Sequence, residues 1–298
     1  MSEIDKRIEI LADGKTIHGF GMLDLPSIES EIEKISERLK KEKNVPESEL
    51  RKLYELIGLS MQKQFGPSIQ HNPCSVESIS KTVLRMTESL TPCRFLNVGM
   101  GGYPFVDIEL IRRGFEVTSV EYSNSLTQLA LKVFESMKQK GRCLVADGMK
   151  LPFKDSSFEA CLCSETLEHI ADDRAVVSEI NRVLKPGGTF ILTVPCLLAA
   201  LGFEKRLLHW IKNKNLILHP THLREYTFFS AKRLVCSNFS IIRWYAVPFT
   251  TEPFQKMPVE KTLSMLVALP GFKHFSLSMA FMLKKLEPER KIANGAKF

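Results

Sequence analysis

The sequence predicts an α/β protein with a doubly wound, mostly parallel, seven-stranded sheet and an N-terminal helical extension. Short apolar runs that end at a glycine or an acid recur between residues 94 and 195, separated by amphipathic stretches of helical length. The central example, residues 94–121, reads RFLNVGMGGYPFVDIELIRRGFEVTSVE. Its order of strand, glycine turn, helix, strand and acid is typical of a nucleoside-binding unit.

The turn of this unit contains Gly99, Gly101 and Gly102. Glycine reaches positive φ and has no Cβ, so a ligand can approach the backbone, although such a turn also fits plain tight packing. The following strand ends at Glu121, about 20 residues beyond the glycines, where a carboxylate can accept hydrogen bonds from ribose hydroxyls. Neither GxGxxG nor GxxxxGK[ST] occurs, so the pattern does not indicate phosphate binding.

Bulk composition indicates an ordinary globular protein of a reducing compartment. The chain is 44% apolar and 25% charged, and it has no uncharged apolar run of about 18 residues. The N-terminus, MSEIDKRIEI, lacks the apolar core of a signal peptide. Seven scattered cysteines suit free thiols better than a disulfide framework. We therefore expect a cytoplasmic protein.

The basic excess lies in the last third of the chain. Residues 196–298 carry a net charge of +10, whereas the rest carries −3. Residues 203–212 place Phe, Leu, Trp and Ile on one helical face and Lys, Arg and His on the other. This pattern predicts either a helix at an anionic membrane that bears an amphiphilic substrate, or a helix whose apolar face packs on the sheet.

The N-terminal 92 residues are predicted to form a β-hairpin at residues 7–20 and then three helices. The apolar stripes of residues 28–39 and 50–61 predict an αα-hairpin, with Ser27 as the first N-cap and a break at residues 44–46. A linker between Pro67 and Pro73 precedes the third helix, at residues 76–90. We interpret the αα-hairpin as a packing or homodimerisation element in preference to a substrate lid.

Beyond Glu121 the alternation of helices and strands continues. Helices are predicted at residues 124–138, 172–184 and 259–269, and strands at 142–146, 158–163, 189–194, 240–247 and 276–284, with a turn at 185–188. Ligands of such sheets bind at the carboxyl ends of the strands. Gly99, Glu121, Asp147 and Ser164 all fall at such ends.

Four stretches in order give the chain a resemblance to a known family. They are LNVGMGG (96–102), VEYS (120–123), ADGMKLPFKDSSFEACLCSETLEHI (146–170) and EINRVLKPGGTFILTVP (179–195). With them the chain resembles a class I S-adenosylmethionine-dependent methyltransferase of the broad group that includes small-molecule, quinone and glycan-pathway enzymes. The resemblance implies a Rossmann-like domain at residues 93–286, after an extension of residues 1–92 and before a tail of 287–298.

The resemblance also implies S-adenosylmethionine as cofactor and a set of residues that bind it. These residues are Asn97, Gly99, Met100, Gly101, Glu121, Tyr122, Asp147, Gly148, Met149 and Ser164. The glycine turn would pass under the methionine part, which Ser164 and Glu165 would face. Glu121 would bind the ribose, and Tyr122 and Asp147 the adenine, with backbone contacts from Gly148 or Met149.

Two residues depart from the family pattern. Asn97 stands where an acid is common, which would change the hydrogen bonding under the cofactor's amino group. Tyr103 stands where a third glycine is common, which would narrow the turn.

Candidate catalytic residues are His169, His222 and Tyr226. A base is needed only if the acceptor must lose a proton, and His169 fits either that role or a local backbone contact. The pair His219 and His222 lacks further ligands nearby in sequence, so no metal is predicted.

The predicted activity is in-line methyl transfer to a small-molecule or lipid-type acceptor. Methylation of RNA or protein, or a catalytically silent cofactor-binding module, are the alternatives. Nucleic acid is not an expected partner because no RNA-binding motif such as RNP1 occurs.

Overall fold

The computed structural model describes residues 24–41, 46–66, 74–197, 221–247 and 278–287. Its strands are β1 (Arg94–Val98), β2 (Glu116–Glu121), β3 (Cys143–Val145), β4 (Phe158–Ser164), β5 (Leu184–Pro195), β6 (Phe239–Val247) and β7 (Ser278–Lys285). Its helices are α1 (Leu25–Lys41), α2 (Glu47–Phe65), α3 (Cys74–Thr87), α4 (Phe105–Arg112), α5 (Asn124–Ser136), α6 (Asp173–Val183) and α7 (Phe228–Val235), with a 3₁₀ turn at Leu167–His169.

The strands form one seven-stranded sheet in the order β3-β2-β1-β4-β5-β7-β6. Strands β1 to β5 pair in parallel, and β7 runs antiparallel to both β5 and β6. The predicted doubly wound, mostly parallel sheet and N-terminal helices are therefore confirmed. The predicted hairpin at 7–20, linker at 67–73 and helices at 203–212 and 259–269 lie outside the described residues.

Alternate residues of the buried strands supply the core on the two faces of the sheet. Leu96, Phe190 and Leu192 point toward the cluster that includes α6 and α7, while Phe95 and Ile191 point toward the cluster that includes α3 and α4. All five side chains are fully buried. Burial on both faces explains why these strands appear in the sequence as continuous apolar runs.

Strand β5 begins at Leu184, earlier than predicted. The segment 185–188 was expected to form a turn because it contains Pro-Gly-Gly, but it lies within the strand. In the pairing of β4 with β5, Phe158 opposes Leu184 and Ala160 opposes Thr189. Residues 185–188 of β5 are therefore additional residues at this shift of register, which forms a bulge. Gly187, with φ of +67°, provides the backbone conformation that the bulge requires.

The cap of α1 also differs from the prediction. The Ser27 amide donates to Asp24 Oδ1 over 2.9 Å, so Asp24 caps the helix and Ser27 lies inside its first turn. A carboxylate satisfies a helix N-terminus as well as a hydroxyl does, and it also complements the helix dipole.

Helices α1 and α2 form the predicted αα-hairpin, and α2 is fastened to α5. Their shared core includes Ile28, Leu53 and Leu56. The buried Glu55 carboxylate of α2 accepts from the Asn124 amide over 2.7 Å and from the Ser125 amide over 2.9 Å. The carboxylate thus caps the N-terminus of α5, the position where a negative charge is most favourable.

Candidate active site

A cavity of about 450 Å³ opens at the carboxyl ends of the parallel strands. Its walls come from the glycine turn after β1, the end of β2, residues 146–149, residues 165–171 after β4, and one face of α2. Cavities of a few hundred cubic ångströms at this edge of an α/β sheet are typical ligand sites.

The glycine turn adopts the backbone predicted for it. Gly99 and Gly101 have φ of +76° and +67°, the left-handed region that favours glycine. A Cβ on Gly99 would lie 2.4 Å from the side chain of Thr166, whereas a Cβ on Gly101 would meet nothing within 4 Å. Gly99 is therefore required for packing against Thr166, and Gly101 leaves open space in which a ligand can approach the backbone.

Glu121 lies on the cavity wall with its carboxylate held by two backbone donors. Its Oε2 accepts from the Gly101 amide over 2.9 Å, and its Oε1 accepts from the Ser123 amide over 3.1 Å. Burial raises the pKa of Glu121, and these backbone hydrogen bonds partly offset that rise. A fixed carboxylate of this kind can accept further hydrogen bonds from the hydroxyls of a ribose, as the cofactor requires.

The residues predicted to surround the adenine also line the cavity. Tyr122, Asp147, Gly148 and Met149 form one side of it, and the Arg51 guanidinium stands 4.6 Å from the centre of the Tyr122 ring. The Met149 amide donates to Asp147 Oδ1 over 2.8 Å. That amide is already used within the protein, so the predicted backbone contact from Met149 is corrected, and Gly148 stays a prediction.

Asn97 lies below the turn and is not among the residues that line the cavity. Its Nδ2 donates to Asp107 Oδ1 over 2.7 Å, and Ser119 Oγ donates to Asp107 Oδ2 over 2.8 Å. All three side chains are buried. Asn97 therefore joins β1, α4 and β2 beneath the glycine turn, and its predicted contact with the cofactor is corrected to a supporting role.

Met100 and Ser164 are likewise absent from the cavity wall. Met100 is buried, and the Ser164 hydroxyl pairs with Thr193 Oγ1 over 2.8 Å. In place of Ser164, its neighbours Glu165 and Thr166 face the cavity. Because strand side chains alternate, the residue predicted at the end of β4 points into the sheet layer instead.

Two acids lie at the far end of the cavity: Glu165 is half-buried on the cavity wall, and the buried Glu168 is not among the lining residues. Glu165 has a positive φ of +48°, unusual for a residue with a Cβ, and its Oε2 accepts from Ser278 Oγ over 3.0 Å. Burial raises the pKa of Glu165 to about 7, although hydrogen bonds from Thr193 and Ser278 lower it. Burial and the neighbouring Glu165 also hold the pKa of Glu168 well above its usual range. Such shifts cluster at functional sites.

Of the three predicted catalytic residues, only His169 lines the cavity. The ring of His222 lies 4.9 Å from that of His169, just behind it. Tyr226 is 3% exposed and its hydroxyl donates to Asp173 Oδ2 over 2.8 Å, so we correct its predicted role to a structural one. Catalytic roles for the two histidines stay predictions.

Sequence reasoning missed one whole wall of the cavity. Four residues of α2, namely Leu50, Tyr54, Ile57 and Met61, line it together with Thr166 and Thr221. The helical stripe of α2 predicted a buried face, but nothing in that stripe distinguishes packing on a neighbouring helix from covering a ligand. The predicted boundary at residues 92 and 93 stays a prediction, although the cavity draws on both sides of it.

Comparisons with known proteins agree with this geometry. Residues 96–192 match a family described as a methyltransferase domain. The sterol 4-C-methyltransferase strm-1 of Caenorhabditis elegans is 33% identical over 102 residues, which are 34% of this chain and 30% of that protein. The ubiquinone biosynthesis O-methyltransferase of Xylella fastidiosa (strain M23) is 36% identical over 131 residues, which are 43% of this chain and 51% of that protein.

Solved structures share the fold. A S-adenosylmethionine-dependent methyltransferase of Methanosarcina mazei superposes with a TM-score of 0.51 at 21% identity, covering 68% of this chain and 97% of that one. The [4+2]-cyclase SpnF superposes with a TM-score of 0.56 at 18% identity, covering 80% and 96%. At these identities the likeness concerns the fold alone.

The match of residues 96–192, together with the sheet order and the glycine turn, identifies a methyltransferase domain in this chain, and such a domain implies S-adenosylmethionine as the cofactor. The chain spans about half or less of the length of the curated relatives named above.

Proposed function

We propose that the protein transfers a methyl group from S-adenosylmethionine to a small-molecule or lipid-type acceptor. The observation that carries the proposal is a single cavity with a nucleoside-binding carboxylate, Glu121, at one end and the polar group of Glu165 and His169 at the other. The related sequences named for sterol and ubiquinone biosynthesis support an apolar acceptor.

The apolar wall formed by α2 supports the same acceptor class. Leu50, Ile57 and Met61 face the cavity opposite the glycine turn. An apolar wall excludes water from the transfer step and provides surface for an apolar acceptor, which polar RNA or protein substrates would not need.

Bound S-adenosylmethionine supplies the methyl group on an activated sulfonium, so the protein has to supply alignment and electrostatics. Glu121 and the glycine turn would hold the nucleoside end. His169 Nδ1 lies 3.1 Å from the Thr221 carbonyl oxygen, which can only accept. The proton of a neutral ring is therefore on Nδ1, and Nε2 has the lone pair that could take a proton from an acceptor hydroxyl.

Methyl labelling of cell extract tests the acceptor class. Purified protein, extract and labelled cofactor are incubated, and lipid, small-molecule, RNA and protein fractions are counted. We expect label in the lipid or small-molecule fraction, reduced with the Glu121→Ala variant. Label in the RNA or protein fraction would show that the acceptor is RNA or protein and would refute a small-molecule or lipid-type acceptor. Tight cofactor binding without any transfer would indicate a catalytically silent cofactor-binding module.

A peripheral contact with an anionic membrane is proposed on charge alone. The basic excess of residues 196–298 supports it, since each basic residue near an anionic leaflet contributes about 1 kcal/mol. No helix in the described parts of the chain is long and apolar enough to cross a membrane. Co-sedimentation with anionic but not neutral vesicles, weakened by Lys205→Glu with Arg206→Glu, is the expected result; no sedimentation at low salt would refute it.

A homodimer through the N-terminal helices is a further proposal. It rests on the αα-hairpin of α1 and α2, which we interpret from the sequence as a packing or homodimerisation element. Sedimentation velocity over a range of protein concentrations tests it, and a monomer at all concentrations would refute it.

A further inference from the structure

Behind the acceptor end of the cavity, three side chains converge from two separate segments. Glu168 and His169 belong to the 3₁₀ turn after β4, and His222 belongs to the segment before α7. One ligand atom from each lies within 4.8 Å of the other two. Glu168 Oε1 and His169 Nε2 are 3.7 Å apart.

Glu168 is a carboxylate without hydrogen-bond donors. Its side chain is 1% exposed, and neither of its oxygens has a hydrogen-bond partner in the described parts of the chain. The nearby Arg224 guanidinium donates to the carbonyl oxygens of Ile170 and Ala171 and lies 3.4 Å from Asp173, so its hydrogen bonds are made elsewhere. Buried charges are normally paired or bound to a metal, because an uncompensated one is strongly destabilising.

His169 has the orientation of a metal ligand. Its Nδ1 points at the Thr221 carbonyl, which fixes the proton there and places the lone pair of the neutral ring on Nε2. A backbone carbonyl bound to one ring nitrogen while the other faces the ion is the common arrangement around ligating histidines. Tyr54 packs edge-on against the same ring, with centroids 5.8 Å apart, and restricts its rotation.

We propose that Glu168, His169 and His222 bind one divalent transition-metal ion of the zinc, manganese or iron class. Two imidazoles and one carboxylate suit these ions better than magnesium or calcium, which prefer oxygen ligands alone. Bonds of about 2.0–2.2 Å require the three ligand atoms to move together by roughly 1 Å, a side-chain adjustment. The sequence-based prediction of no metal considered His222 together with His219, whereas the two residues proposed here to join His222 lie more than 50 positions earlier in the chain.

The role of the ion rests on the proposed function. Three protein ligands leave open coordination positions, and His169 places them beside the cavity. An ion there would hold an oxygen of the acceptor and lower the pKa of its hydroxyl, so that the proton passes to solvent water before the oxygen is methylated. His169 Nε2, bound to the ion, would then position the ion and would not itself take the proton. The acceptor class would then narrow to compounds with a hydroxyl or enol oxygen next to an apolar body.

Cobalt(II) titration of the chelator-treated full chain tests the site without cofactor or acceptor. We expect one ion per chain with visible ligand-field bands, and an affinity at least about 100-fold weaker in Glu168→Gln and in His222→Gln. Glu135→Gln, on the exposed side of α5, is the matched control and should bind as the wild type does. An intense thiolate charge-transfer band would show a cysteine site instead and overturn the proposal.

Thermal unfolding distinguishes a variant that has lost a metal-ligating side chain from a variant whose fold is damaged. Metal-free Glu168→Gln should melt close to the wild-type temperature, because the amide has nearly the same shape as the carboxyl group that it replaces. Zinc(II) should raise the melting temperature of the wild type and of Glu135→Gln but not of Glu168→Gln. Absence of binding up to about 1 mM metal, or equal shifts in all three proteins, would refute the site. Calorimetry with S-adenosylmethionine independently reports whether the cofactor proposal fails.

Discussion

The carboxylates at the two ends of the cavity differ in the hydrogen bonds that the protein donates to them. At the glycine turn, each oxygen of Glu121 accepts a backbone hydrogen bond. At the other end, both oxygens of Glu168 and Oε1 of Glu165 are buried without a hydrogen-bond partner in the described residues. At the first end the protein itself satisfies the carboxylate, whereas at the second end the described residues leave carboxylate oxygens without a hydrogen-bond partner.

This difference indicates which end of the cavity is specific for the cofactor and which end is specific for the acceptor. A preformed set of hydrogen bonds suits a ligand that is always the same, such as a cofactor. Unsatisfied polar groups cost stability and are retained where they contribute to binding or chemistry. The predictions that follow either sharpen the contrast between the two ends or remove it.

The largest expected effect concerns Asp107, the acid that supports the glycine turn. Burial raises the pKa of Asp107 from 3.8 to about 6, despite hydrogen bonds from Ser119 and Asn97. Because the folded-state pKa is raised, the stabilising contribution is present below about pH 4 and is lost as pH rises through about 6. The shift corresponds to about 3 kcal/mol.

Asp107→Asn should remove this pH dependence, since an uncharged amide can still accept from Asn97 and can donate to Ser119 Oγ, which reverses the second hydrogen bond. The difference in free energy of unfolding between variant and wild type should therefore change by about 3 kcal/mol between pH 4 and pH 8, in favour of the variant. Urea denaturation at several pH values measures it. A constant difference would mean that Asp107 is not a buried acid of this kind.

Glu121→Ala should weaken binding of S-adenosylmethionine by about 10- to 100-fold, or 1.5–3 kcal/mol, through loss of charge-assisted hydrogen bonds. Isothermal calorimetry measures it. Glu116→Ala, at the exposed start of the same strand, is the control and should bind normally. Unchanged affinity in a folded Glu121→Ala protein would show that Glu121 does not bind the ribose of the cofactor. The proposed difference between a cofactor end and an acceptor end of the cavity would then lose its basis.

Glu55→Ala should cost about 1–2 kcal/mol of stability because the Asn124 and Ser125 amides at the start of α5 lose their acceptor, although the Ser123 side chain still caps the helix. It should also weaken cofactor binding several-fold, since the wall formed by α2 loses its attachment. The interpretation of the αα-hairpin as a packing or homodimerisation element gives no reason for such a loss of affinity. Chemical denaturation measures the stability of the variant, and calorimetry on the same preparation measures its affinity for the cofactor. Wild-type affinity in a destabilised variant would favour a separate N-terminal unit.

Tyr54→Phe should have the smallest effect on stability. The Tyr54 hydroxyl is buried without a hydrogen-bond partner in the described residues, so its removal should be neutral or stabilise by up to about 1 kcal/mol. Tyr103→Phe is the matched comparison, because that hydroxyl donates to the Gly66 carbonyl over 3.0 Å and its loss should destabilise by about 1 kcal/mol. Equal losses in both would show that Tyr54 has a protein partner.

Local sequence patterns predicted the sheet and most strand ends correctly, although they misplaced the N-cap at Ser27 and the turn at residues 185–188. Contacts between distant segments were not predicted. The strand ends at Gly99, Glu121 and Asp147 were predictable because local breakers and apolar runs specify them. The wall provided by α2 depends on Glu55 meeting Asn124, a pairing that no periodicity encodes. Glu168 was overlooked beside His169 because a single acid after a strand has no pattern of its own.

The attachment of α2 also constrains how the protein is made. Helices α1 and α2 share a small core and can associate as soon as both have left the ribosome. The hydrogen bond between Glu55 and the Asn124 amide cannot form until the start of α5 has been synthesised, 69 residues later. Contacts this distant in sequence form slowly, because the intervening chain must first be ordered. The α2 face that later lines the cavity therefore stays exposed during synthesis, and the nascent chain passes through a stage at which chaperones can bind it.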